Sequence, residues 1–131
     1  MTDQEIQLQQ KALEFAKKNK IRIAKELTDK NRYAPDMVPI SVFMAGSPGA
    51  GKTEFSKYLI TLFEKNEYRV VRIDADEMRT FFSEYTGDNS RLFQGASSLI
   101  VEKVQDLALH NGQTFIFDST LSNYDRSIKN V

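Results

Sequence analysis

Gly46-Ser47-Pro48-Gly49-Ala50-Gly51-Lys52-Thr53 has the spacing G-x-x-x-x-G-K-[ST]. Binding a polyphosphate asks for these residue types in this order. Backbone N–H groups must approach phosphate oxygens closely, and a Cβ at Gly46, Gly49 or Gly51 would obstruct the approach or forbid the φ it requires. Lys52 brings a point charge to the β- and γ-phosphates, and the Thr53 hydroxyl is of the kind that ligates Mg²⁺. The competing reading is a glycine-rich turn that matches by chance. Context weighs against it, because an apolar run precedes the stretch and an amphipathic one follows. The expected ligand is ATP or GTP, with Mg²⁺.

Further acids stand where such a loop could use them. Asp74 and Asp76 lie two residues apart in IDADEMR, residues 73–79, at the end of a second apolar run. A carboxylate there can accept or orient the proton of an attacking hydroxyl. Alternatively, Asp76 caps a short helix over EMRTFF. Arg79, one turn on, either reaches a phosphate or is a solvated helix charge. FIFDST closes a third apolar run with Asp118, an acid able to hold Mg²⁺ directly or through water. Ser119 and Thr120 extend that edge with hydroxyls for a substrate. Glu102, between Val101 and Val104, reads as a solvated flank or as a ligand contact. His110, the single histidine, sits at a helix end and reads as structural. With no cysteine and one histidine, a tightly bound transition metal is not expected.

The elements that must position these residues follow from periodicity. Thr2 and Glu5 form a capping pair ahead of a helix over residues 3–28, with Ile6, Leu13, Ala16, Ile23 and Leu27 at near-helical spacing and KKNK as an interruption. DKNRYAPDMVP, 29–39, reads as a loop. ISVFMA (40–45), RVVRI (69–73) and TFIF (114–117) read as strands. Residues 51–65 read as a helix with Phe55, Tyr58, Leu59 and Leu62 on one face. A longer helix carries the stripe Ala96, Leu99, Ile100, Val104, Leu107 and Ala108, ended by Gly112. Strands alternating with helices predict an α/β fold: a P-loop NTPase-type three-layer parallel sheet with flanking helices, plus an N-terminal helix. The C-terminal ends of its strands then share one edge, where ligands of such sheets bind. The expected division is residues 1–35 as a helical segment and linker, and 36–131 as the nucleotide-binding domain.

The totals set bounds. In 131 residues, 18 basic side chains balance 18 acidic ones. That balance argues against general nucleic-acid binding and against attachment to an anionic membrane. The polar start MTDQEIQLQQ is no secretory signal, and no stretch reaches the roughly 20 apolar residues of a membrane span. A cytoplasmic location is expected.

FMAGSPGAGKTEFSK, VVRIDADEMR, YTGDNSRLFQGASSLIVEKV and FIFDSTLSNYDR together resemble the zeta-toxin family of P-loop kinases, over about residues 38–131. The resemblance implies transfer of the ATP γ-phosphate to a hydroxyl of UDP-N-acetylglucosamine, with a small helical antitoxin as restraining partner. By position it implies Lys52 on the β/γ-phosphates, Thr53 on Mg²⁺ and Asp76 as catalytic base. It further implies Glu102 on the sugar nucleotide and Thr120 on the substrate. Asp118 stands where the family often has Glu in a substrate contact, so its reach is shorter. The family resembles a five-stranded sheet with a helical lid, and this sequence supplies three strands, so the domain is expected to be C-terminally incomplete. The arginines that close over the transferring phosphate would lie beyond Val131, and Arg126 does not replace them. The alternatives are a remnant that binds nucleotide or antitoxin without turnover, or a kinase for another small-molecule hydroxyl. The 3–28 helix is expected to pack as an accessory, to restrain the nucleotide edge, or to cover the first strand.

Overall fold

The computed structural model describes residues 1–46, 52–66 and 68–120. These residues form two compact units, Met1–Thr28 with Asp74–Leu107, and the described residues of 29–73 with those of 108–120.

In the first unit, helix α1 runs Asp3–Leu27. Its start is the predicted capping box. Thr2 Oγ1 accepts from the Glu5 N–H at 3.1 Å, and Glu5 Oε1 accepts from the Thr2 N–H at 3.1 Å. KKNK does not interrupt the helix: Asn19 Nδ2 donates to the Phe15 carbonyl at 2.9 Å instead of competing for the ladder. Buried Thr28 ends it, its N–H and hydroxyl both donating to the Ala24 carbonyl. Ala12, Ala16, Ile23 and Ala24 make the buried face, and mostly small residues there allow close approach.

Strand β2, Val70–Asp74, feeds α3, Ala75–Met78, and then a 3₁₀ turn at Arg79–Phe81. The short helix therefore begins two residues before the expected EMRTFF, because the Asp74 carboxylate accepts from the Asp76 N–H at 2.9 Å and starts the turn there. A second 3₁₀ turn, Ser90–Phe93, leads into α4, Gln94–His110. Aromatic rings hold α1 to this stretch. Phe15 meets Phe82 edge-on at 5.5 Å, Phe82 lies tilted on Phe93 at 5.3 Å, and Tyr85 meets Phe93 edge-on at 6.0 Å. Such pairs add about 0.5–1.5 kcal/mol beyond the area they bury. Phe93, Ile100 and Val104 are fully buried, at about 1.5–3 kcal/mol each.

The second unit holds the sheet. Strands β1 (Ser41–Gly46), β2 and β3 (Thr114–Thr120) lie in the order β1-β3-β2 and run parallel. The β1–β3 register runs from Ser41↔Phe115 to Gly46↔Thr120. β3 thus continues past the expected end at Phe117, and Asp118 is an interior residue opposite Met44. Val71, Ile73, Phe115 and Ile116 are buried.

Helix α2, Lys52–Lys65, follows β1. Its packed face differs from the expected one. Phe55, Tyr58 and Leu62 are exposed, at 53%, 59% and 38%, whereas Ser56 is fully buried. Ser56, Leu59, Ile60 and Phe63, at helical spacing, form the less exposed face. A small residue is accommodated at the tightest contact because its hydroxyl has a partner, described below.

The segment read as a loop, 29–39, is fastened to the start of β3. Asp36 N donates to the Gly112 carbonyl, Thr114 Oγ1 donates to Asp36 Oδ2 at 2.6 Å, and Gln113 Nε2 donates to the Tyr33 carbonyl at 2.8 Å. Gly112 ends α4 as expected. At φ +66° it lets its own N–H reach the Leu109 carbonyl while Gln113 N reaches that of Ala108.

Candidate active site

The strand and helix that the glycine motif requires are both present. β1 ends at Gly46 and α2 begins at Lys52. Ser47, Pro48, Gly49, Ala50 and Gly51 lie outside the described residues. Lys52 and Thr53 are the first two residues of a 14-residue helix, where unsatisfied N–H groups and the positive end of the helix dipole favour a phosphate. Across the sheet, the backbone register sets Thr120 level with Gly46. The first glycine of the loop and the expected substrate threonine therefore share one rung.

Beneath that rung lies a buried polar cluster. Arg72 of β2 donates from its terminal guanidinium nitrogen Nη2 to Asp118 Oδ2 at 3.0 Å, and from Nε to Ser56 Oγ at 3.3 Å. The Asp118 side chain is 1% exposed and that of Arg72 17%. A carboxylate so buried needs a charged partner, and removing one member of such a pair costs about 3–5 kcal/mol.

The first unit carries Asp74, Asp76, Arg79 and Glu102. Asp74 fills the capping role that had been an alternative for Asp76. The Asp76 side chain is 53% exposed and forms an ion pair with Arg79 Nη1 at 3.1 Å, an i,i+3 pair worth a few tenths of a kcal/mol. Arg79 is no solvated charge. Its side chain is 18% exposed, and its buried Nε has no hydrogen-bond partner among the described residues. Glu102 is exposed on α4 between buried Val101 and Val104.

Among the described residues, no helix is long and apolar enough to cross a membrane, and no group of three or more His, Asp or Glu gathers as a metal site. The family model of the zeta toxins matches residues 23–131. The chain belongs to the zeta toxin family. No curated protein matches it. A solved chain from the PezAT chromosomal toxin-antitoxin system of the human pathogen Streptococcus pneumoniae is similar in fold, with a TM-score of 0.66 at 23% identity. That likeness covers 92% of this chain and 47% of the solved one, so this chain spans about half the length of the structure it matches.

Within this zeta toxin chain the structure joins some of the expected residues and adds others. Asp76 and Arg79 are partners, and Gly46 and Thr120 share a rung. Asp118, expected at a strand end, is instead engaged by Arg72 one rung-pair below. Sequence reasoning missed Arg72, Ser56 and the capping role of Asp74. A signal for Arg72 was available: a strand of a parallel sheet is apolar on both faces, and an arginine inside VVRID needs a buried acid.

Proposed function

We propose that this chain carries the nucleotide-binding part of a phosphotransferase, the toxin of a toxin-antitoxin system, that moves the γ-phosphate of ATP to a hydroxyl of UDP-N-acetylglucosamine. The observation that carries the reading is the phosphate-loop motif set between a parallel strand and a helix N-terminus in a member of the zeta toxin family. In it, Lys52 draws charge from the β/γ-phosphates, and Asp76 takes the proton of the acceptor hydroxyl as its oxygen attacks phosphorus and ADP departs. Arg79, Glu102 and Thr120 contact the acceptor. A threonine hydroxyl at the second position of α2 is a hard oxygen donor suited to Mg²⁺. When bound, that ion neutralises charge on the β- and γ-oxygens. A small helical antitoxin as partner is supported by the toxin-antitoxin setting of the solved relative.

The test is incubation with Mg-ATP and UDP-N-acetylglucosamine, followed by detection of phosphorylated sugar nucleotide. Asp76→Asn should lower kcat by about 10²–10⁴ while ATP affinity holds. Product at the parental rate would remove Asp76 as the base. A second reading is nucleotide or antitoxin binding without turnover. It requires that ATP raise Tm in the parent but not in Lys52→Ala, with no product from any acceptor. A product from another sugar or alcohol alone would leave the kinase and change its substrate.

A further inference from the structure

We propose that Arg72 is a positioning residue for the nucleotide: by gripping Ser56 of α2 and Asp118 of β3 at once, it fixes the helix turn on which Lys52 and Thr53 stand. The inference rests on the nucleotide reading above and extends it to residues outside the motif.

The geometry supports it in three ways. Ser56 lies four residues beyond Lys52, one turn along α2, so a tie at Ser56 sets the height and rotation of the turn that opens the helix. Asp118 pairs with Met44, two residues before the Gly46↔Thr120 rung. The Asp118 end of the grip therefore lies two residues below the last rung that β1 and β3 share. Finally, only a guanidinium can hold both partners, since its planar fork presents Nε and the terminal nitrogens in fixed directions, whereas an ammonium is a single point charge. A buried ion pair adds little net stability over apolar residues of the same volume. Its presence here points to placement, and misplacement by about 1 Å weakens catalytic sites strongly.

Three proteins decide the matter: the parent chain, Ser56→Ala and Arg72→Lys. Each is titrated calorimetrically with Mg-ATP, and each is followed by thermal melting and by hydrogen exchange at the amides of residues 56–60, which bond back onto the first turn of α2. Ser56→Ala removes one small contact and leaves the Arg72–Asp118 pair. Arg72→Lys keeps a cation beside Asp118 and loses the span to Ser56. Both should bind Mg-ATP about tenfold more weakly, the change expected when the opening turn of α2, released from its tie, holds the binding position only about a tenth of the time. Both should also exchange faster at residues 56–60. If Arg72 served packing alone, Tm would fall while the affinity of the folded protein stayed parental, and that result overturns the proposal. A parent chain that ignores Mg-ATP overturns the nucleotide reading instead. In that case faster exchange in Ser56→Ala still upholds the hold on α2, and unchanged exchange overturns it.

Discussion

Asp74 and Asp76 show how two identical side chains two residues apart divide their work. The Asp74 carboxylate faces the backbone and starts α3 by accepting from the Asp76 N–H, while the Asp76 carboxylate is half exposed beside Arg79. Capping is worth about 1 kcal/mol, and an ion pair whose carboxylate is half exposed to water a few tenths. Asp74→Ala should therefore lower unfolding stability by about 1 kcal/mol, and Asp76→Ala should change it by less than about 0.5 kcal/mol. Urea unfolding of both variants checks this. Equal losses would mean that Asp76 is also structural. The sequence could not separate the two acids, because the spacing D-x-D is the same whichever one turns inward. The decision belongs to the backbone conformation of Asp74, which is extended at φ −133°, as an N-cap requires.

At the scale of elements, α1 is bound to the stretch that follows α3 by charge as well as by rings. Lys11 Nζ meets Glu84 Oε1 at 2.8 Å, and Arg91 pairs with Glu5. The hydrogen bond from Lys11, followed by one from Ser83, holds the Glu84 carboxyl below its ordinary 4.5, and the same pair raises Lys11 above 10.5. A lowered carboxylate stabilises the fold above its unfolded value, and the contribution is lost as pH falls through the folded value. A raised amine contributes fully below its unfolded value and loses that contribution as pH rises through the folded one. Lys11→Met should thus be less stable than the parent between about pH 5 and pH 10, with the difference fading as pH falls through the folded value of Glu84 or rises through that of Lys11. Urea midpoints at pH 3, 7 and 11 test it. Lys11 is 72% exposed, so the effect is small and shrinks with added salt. A difference that persists at pH 3 would assign the loss to packing. The start of α1 was legible in full, because a capping box is a local pattern. The packed face of α2 was not: the apolar residues Phe55, Tyr58 and Leu62 are exposed, and the Ser56 face turns inward.

For the molecule as a whole, each compact unit has its own buried aromatic, Phe93 in the first and Phe115 in the second. Phe93→Ala and Phe115→Ala should each cost about 3–5 kcal/mol, a large share of the stability of a domain this size. Circular dichroism during thermal unfolding reads the loss, and a cost below about 1 kcal/mol would show that the site collapses around the deletion. On the sequence alone stood the order of strands and helices, the phosphate-loop motif with Lys52 and Thr53, the cap at Thr2 and the stop at Gly112. All of these are set by neighbours within a few residues, where spacing, φ preference and hydrogen-bond reach act directly. Only the tertiary structure decided that Arg72 closes on Asp118 and Ser56, partners 46 and 16 residues away. It also decided that β3 runs on past Asp118, and that Ser56 rather than Phe55 faces in. Those outcomes depend on burial. A charge inside a sheet must find its counter-charge wherever the fold brings one, and no local pattern says where that is.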